Sequence, residues 1–311
     1  MSLTVVGSIA FDAVETESGK RDRLLGGAAV HFSLASSFLA ETRVVGPVGD
    51  DFTEAEYAVL HNRGVLTDDV EHVPGGKTFF WAGRYERDPN IRHTLQTDLN
   101  VFEHFEPKLS EASRAADTLF LANIHPGLQL AVHTQCSQAR FTAMDTMNMW
   151  IEVTRPQLEQ TIRGVDCLIV NDEELKQLTD EPNLVRAARA VHAMGPRVVI
   201  AKQGEHGAGM YTPDGFFGLP AYPTPDVVDP TGAGDTFAGG FMGYVAAHAG
   251  DELNDELLRR AMAYGTAMAS FNVEAFGTER MQTLTGDEIA ERVSELQSLT
   301  RFDAHPVPLR A

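Results

Sequence analysis

The sequence predicts an α/β chain built on a doubly wound, mostly parallel sheet flanked by helices, with a small β lid. Three observations predict it. Short β-branched runs alternate with helical stretches along the 311 residues. Those runs are apolar throughout rather than alternating, as strands covered on both faces are. One aromatic and basic segment, KTFFWAGRYERDPNIRHT at 77–94, breaks the alternation.

The strands come in order as LTVVGSIA (3–10), TRVVGPVG (42–49), TLFLAN (118–123), RFTAMD (140–145), DCLIVN (166–171) and RVVIAK (197–202). Between them lie helical patterns: AVHFSLASSFLA, DFTEAEYAVLHNRG, EVTRPQLEQTIRG, DEELKQLT and NLVRAARAVHAMG. Gly64, Gly164 and Gly195 stand at three helix ends, where C-terminal caps are expected. The last third is helical, and Thr285 precedes Glu288 at capping-box spacing. The segment at 77–94 reads as an antiparallel hairpin outside the parallel core. With the polar loop ETESGKRDR (15–23) it forms a lid, from roughly 13–24 and 72–100, on a single domain spanning 1–311. An exposed edge on that lid permits lid-to-lid homodimers.

Hydrophobic residues are 43% and charged residues 22%, the balance of a globular chain. The formal net charge of −19 offers nucleic acid and anionic membranes no favourable field. Only five of the 25 basic residues are lysines. That shortage fits a salt-rich cytoplasm or lineage composition, and the sequence does not choose. Cys136 and Cys167 stand in apolar contexts without metal spacing and read as buried free thiols. The start, MSLTVVGSIAF, reads as a first strand rather than a leader, and the protein is expected in the cytoplasm.

DPTGAGDTFAGG (229–240) carries the chemistry. It lacks the third glycine of a dinucleotide fingerprint, because Phe237 stands there. GGKT at 75–78 lacks the first glycine of a phosphate-binding P-loop and reads as a turn into the lid. In DPTGAGD itself, Gly232, Ala233 and Gly234 leave their amides uncovered in front of an apolar helix beginning at about Asp235. Bare amides at a helix N-terminus make an anion site. The plainer alternative is a tight turn with Asp235 as N-cap.

The stretch resembles the C-terminal signature of the ribokinase-like, or phosphofructokinase B, family of carbohydrate and nucleoside kinases. GSIAFD (7–12), LLGGAAVHFSLA (24–35), NDEE (171–174), AKQGEHGAG (201–209) and TAMASFNVEAFG (266–277) resemble further family motifs in the same order. The resemblance implies ATP-dependent transfer of the γ-phosphoryl group to a primary hydroxyl, with Mg²⁺ as metal. It implies Asp235 as the base and the amides of Gly232, Ala233 and Gly234 as the anion cradle. It places Asn171, Glu174, Lys202, Gly204, Glu205, Gly207 and Ala267 around ATP, with Glu174 acting on Mg²⁺ through water. Asp229 and the Thr231 carbonyl match a monovalent-cation site, for K⁺, found in parts of the family. Read without the resemblance, NDEE is an N-cap followed by a solvated acidic turn.

Asp12, Gly26 and Gly27 match the acceptor site. Ala10 and His31 stand where asparagines are usual, which removes two amides that would hold a small free sugar. His31 is assigned to acceptor contact for its place in that signature. Phe79, Phe80, Trp81 and Tyr85 make the lid aromatic, and aromatic faces stack on flat bases. Asn123 and the patch DTMNMW (145–150) lie at strand ends, where doubly wound sheets bind ligands. The acceptor read from these residues is a nucleoside, phosphorylated on its ribosyl 5'-hydroxyl. A kinase of a free sugar is the alternative, and a non-catalytic ligand sensor on the same fold is a third reading. The lid arginines Arg84, Arg87 and Arg92 are its only local cations for a phosphosugar.

Overall fold

The computed structural model describes residues 2–303. In chain order its strands are β1 (Ser2–Val6), β2 (Ala10–Thr16), β3 (Gly19–Gly26), β4 (Glu41–Val48), β5 (Leu66–His72), β6 (Phe79–Tyr85), β7 (Arg92–Asp98), β8 (Thr118–Leu121), β9 (Phe141–Met144), β10 (Cys167–Asn171), β11 (Val198–Lys202), β12 (Ala208–Thr212) and β13 (Gly215–Leu219). They form two sheets. The nine-stranded sheet has the order β13-β12-β11-β10-β9-β8-β1-β4-β5. From β11 to β5 every pairing is parallel, and β12 and β13 add an antiparallel edge. The four-stranded sheet, β3-β2-β6-β7, is the lid.

The unbroken apolar runs are explained by two-sided burial. In β10, Cys167 and Ile169 enter one core cluster, whereas Leu168 and Val170 enter the other. The helices Ala28–Ser36, Ala233–Ala247 and Asp255–Asn272 cover the first face. The helices Pro126–Gln135, Arg155–Ile162, Asp172–Thr179 and Leu184–Met194 cover the second. Phe32 stacks on Phe120 at 4.4 Å where the first layer meets the sheet. Cys136 and Cys167 are both free and buried. No helix among the described residues is long and apolar enough to cross a membrane.

Three expectations change, and one helix is new. The run 3–10 is not one strand, because β1 stops at Val6 and the chain leaves the main sheet to become β2 of the lid. The Gly7 amide still donates to the Val45 carbonyl at 3.2 Å, so the bend begins only after that bond. The polar segment 15–23 is not a loop but the turn and outer strand of the hairpin β2–β3. Its outer residues are solvated, so no apolar alternation announces the strand. The helix Pro126–Gln135 also lacks a strong apolar pattern. It is set instead by Pro126 in its first turn and by the His125 ring, whose Nδ1 accepts from the Gly127 amide at 3.1 Å. Gly64 and Gly195 take positive φ beyond their helices, whereas Gly164 does not. The Thr285–Glu288 capping box forms as expected.

Candidate active site

The helix Ala233–Ala247 starts two residues earlier than the sequence implies. Its N-cap is Gly232, at φ 76°, and Asp235 lies inside the first turn rather than capping it. A side chain at 232 would meet strain from this left-handed backbone and would also collide with the His31 ring. The Ala233 amide is not free, since it donates to the Pro230 carbonyl at 3.2 Å. The assignment of Ala233 to the anion cradle is therefore corrected. Among the described residues, the Gly232 and Gly234 amides take no such partner. They and the helix dipole remain to meet an anion.

Lys202 ends β11 and faces this loop rather than solvent. Its Nζ lies 2.7 Å from where a Cβ on Gly234 would sit, so the glycine is what admits the ammonium. Three carboxyls share the same space. Asp145 ends the segment after β9, is buried, and leaves Oδ1 without a hydrogen-bond partner. Withdrawal from water pushes its carboxyl well up, and the charges of Asp235 and Glu174 add to the rise while Lys202 opposes it. Glu174 is raised by burial and steadied by Lys202, by the Asn171 amide and by Arg92. Asp235 is raised by burial and lowered by His31, Lys202 and Arg92. Five charged groups thus converge: Arg92 of β7, Asp145 after β9, Glu174 on the helix Asp172–Thr179, Lys202 at the end of β11 and Asp235 on the helix Ala233–Ala247.

Asn171 and Glu174 form a complete capping box on the helix Asp172–Thr179. Asn171 Oδ1 accepts from the Glu174 amide at 2.7 Å, and Glu174 Oε2 accepts from the Asn171 amide at 2.9 Å. The plain reading of NDEE as a cap is true, and the cap is also what aims Glu174 at the site. After β11, the loop 203–207 closes on itself: the Gln203 amide donates to the Gly207 carbonyl at 2.8 Å, and the Gly207 amide to Gly204 at 3.1 Å. Glu205 Oε2 accepts from Asn90 Nδ2 of the lid at 2.9 Å, and Asn90 lies against Gly204. Ala267 is fully buried in its helix, so it offers no surface to a nucleotide. Its apolar neighbours turn that face of the helix into core.

Beneath the loop runs a buried network. Asp229 Oδ1 accepts from the Thr231 amide and Oδ2 from the Gly277 amide, both at 2.9 Å. Asn272 Nδ2 donates to the Thr231 carbonyl at 2.8 Å. Asn272 Oδ1 accepts from Thr236 Oγ1 at 3.0 Å and lies 3.2 Å from His31 Nδ1. The carbonyl fixes the amide's orientation, so His31 must carry its proton on Nδ1. Burial lowers the His31 pKa, against the charges of Asp235 and Asp229 and the Asn272 contact, which raise it. His31 packs under the loop in this arrangement rather than in an open acceptor crevice.

The lid supplies the other wall. Asp12 and Trp81 are direct cross-strand partners in the parallel pair β2–β6, so their side chains share one face. Gly26 is glycine because the Asp12 carboxyl lies where its Cβ would be. The space over Gly26 is thus taken by Asp12, not left for an acceptor to approach the backbone. The Gly27 amide donates to the Asp12 carboxylate, yet burial and the charge of Asp229 still push Asp12 up to about 7. The Trp81 ring lies across Gly83, and its Nε1 donates to Thr94 Oγ1 at 3.4 Å. Tyr85, one further turn of the pleat along β6, joins Thr231 Oγ1 at 3.2 Å and ties lid to loop. Asn123 follows β8, and its Oδ1 accepts from Trp150 Nε1 at 3.0 Å. The sequence names Asp145 only within the patch 145–150, Arg92 only among the lid arginines and Asn272 only within the motif 266–277. Their convergence on the Asp235 loop is seen only in the structure.

The pfkB family of carbohydrate kinases matches residues 2–284. The chain belongs to that family. It is a kinase, and its folded sheet agrees. A cytidine kinase of Thermococcus kodakarensis is 28% identical over 250 residues, covering 78% of this chain and 87% of that protein. An ATP-dependent ribose-1-phosphate kinase of Halopiger xanaduensis is 27% identical over 285 residues, covering 89% and 88%. The pfkB-family kinase also shares its fold with the Burkholderia thailandensis nucleoside kinase solved with inosine. The TM-score is 0.76 at 20% identity, over 94% of this chain and 97% of that one.

Proposed function

We propose that this kinase transfers the γ-phosphoryl group of ATP to the 5'-hydroxyl of a nucleoside. The observation that carries the acceptor is the pairing of Asp12 with Trp81 on one face of the lid. A carboxylate for ribose hydroxyls then stands beside a ring for the base. The cytidine kinase and the inosine-bound nucleoside kinase support the same choice. The ribose-1-phosphate kinase favours a second reading, a sugar or sugar phosphate as acceptor. Against it, the charge of Arg92 acts on Asp235 and Glu174, the phosphoryl end of the site.

In the proposed step the 5'-oxygen bonds to the γ-phosphorus, the bond from that phosphorus to the ADP oxygen breaks, and the hydroxyl proton goes to Asp235. The Gly232 and Gly234 amides and Lys202 take the charge of the transferring group. One such donor is worth roughly 10²–10³ in rate. Among the described residues no three His, Cys, Asp or Glu side chains form a metal cage. An open set of carboxylates with an orphaned Asp145 oxygen instead suits Mg²⁺, which keeps waters and phosphate ligands. Asp145 and Glu174 would hold it, and it would neutralise phosphate charge. The exposed edge strand β7 leaves a lid-to-lid homodimer open to this kinase. A cytoplasmic setting, where ATP is abundant, fits the activity.

Asp235→Asn is expected to lower kcat by about 10²–10⁴ while ATP affinity, read by calorimetry, stays within about threefold. Near-normal turnover would refute Asp235 as the base.

A further inference from the structure

We infer that Asn272, rather than a bound monovalent cation, braces the anion loop of this kinase. The inference rests on the reading of residues 229–235 as that loop.

A cation site needs several oxygens with lone pairs turned toward one point. Here each of those oxygens already spends lone-pair capacity on an N–H donor, and each donor brings its positive end to the place where a cation would sit. Asp229 is fully buried, and its two carboxylate oxygens accept from the Thr231 and Gly277 amides at 2.9 Å each. The Val273 carbonyl accepts from the Val228 and Asp229 amides, at 2.8 and 3.3 Å. The Thr231 carbonyl accepts from Asn272 Nδ2 at 2.8 Å. The amide thus brings the positive end of its N–H dipole to the carbonyl that a cation would need.

Asn272 also does what a point charge cannot. A carbonyl only accepts, so Nδ2 must face Thr231 and Oδ1 must face away. That oxygen takes the hydroxyl of Thr236, in the first turn of the helix Ala233–Ala247, at 3.0 Å. It also meets Nδ1 of His31 at 3.2 Å, whose ring fills the space under Gly232. One buried side chain therefore grips the loop before the Gly232 turn, the helix after it, and the ring beneath it. Asn272 is a positioning residue, since nothing places it on a substrate.

The test compares chloride salts of K⁺, Na⁺ and choline at matched ionic strength, with the full chain, Mg²⁺, ATP and cytidine or inosine. The expected kcat and KM for ATP agree within about twofold across the three, because the brace is internal. Activation by K⁺ of about fivefold or more over choline would overturn the inference. Asn272→Asp keeps the volume but cannot donate to the Thr231 carbonyl. It is expected to lose about tenfold in kcat in choline and to regain part of it in K⁺. Full turnover of that variant in choline would also overturn the inference. Thermal midpoints with a non-hydrolysable ATP analogue give a readout free of turnover. Equal wild-type midpoints in K⁺ and choline are expected, and a K⁺-specific rise contradicts the brace. If neither nucleoside is phosphorylated, the acceptor reading fails while the midpoints still decide the cation question.

Discussion

On the proposed phosphate side, the loop is one continuous segment, 229–236, whose anion donors would be mainly main-chain amides. On the proposed acceptor side, Asp12 comes from β2, Trp81 from β6 and Asn123 from beyond β8, and all three would act through side chains. The phosphate of ATP is one unchanging shape, and a rigid helix start can serve it. A nucleoside varies in its base, and a sheet that presents interchangeable side chains can follow that variation. The two sides meet at a few contacts: Tyr85 with Thr231, Asn90 with Glu205, and Thr16 Oγ1 with the Val228 carbonyl at 2.8 Å. Lid position and loop geometry are coupled through them.

Substitutions should separate the two sides kinetically. The largest effect, that of Asp235→Asn, is expected in kcat. On the acceptor side Trp81→Ala should raise KM for the nucleoside by about 5- to 100-fold, the cost of a lost base stack, with kcat much less affected. Steady-state kinetics on cytidine and inosine check this split. An unchanged KM would remove Trp81 from the acceptor site and leave the two sides with no division of labour.

The smallest expected effect is a pH dependence of acceptor use. Asp12 rises to about 7 in the free enzyme, since burial outweighs the Gly27 hydrogen bond. Its ionised form is the one that accepts hydroxyl hydrogen bonds. Nucleoside kcat/KM should therefore fall as pH drops below about 7, by up to about tenfold per unit. Asp12→Asn should flatten that limb. The stability linkage has the opposite sense. A folded value above the unfolded 3.8 means that the folded state binds the extra proton, so this group costs stability as pH rises from 3.8 to about 7. Chemical denaturation at pH 5 and pH 8 separates the two effects.

The backbone frame of the proposed phosphate side was legible in the sequence because it is carried by glycines at fixed spacing. DPTGAGD announces a glycine turn before a helix, with bare amides at Gly232 and Gly234 but not at Ala233, and NDEE announces the Asn171–Glu174 cap. The parallel core was legible for the same local reason, through apolar runs buried on both faces. The lid was less so. β3 is solvated and carries no apolar rhythm, and the break after Val6 depends on where the chain goes next. His31 could be seen as a departure, but its place beneath Gly232 needs Asn272, 241 residues away in the chain. Asp145 joins the carboxyls only because β9 lies beside β10. Such residues acquire their roles from strand order, which no local pattern records.

The central claim is tested most directly by the product. The purified enzyme is given Mg·ATP with cytidine, inosine, ribose, fructose or ribose 1-phosphate, and the phosphorylated product is identified by phosphorus NMR with kcat/KM for each acceptor. The account predicts a nucleoside 5'-monophosphate, with kcat/KM at least about tenfold above that of any sugar, since the stacked base supplies binding the sugars lack. Phosphorylation of a sugar or sugar phosphate with no nucleoside product would contradict it.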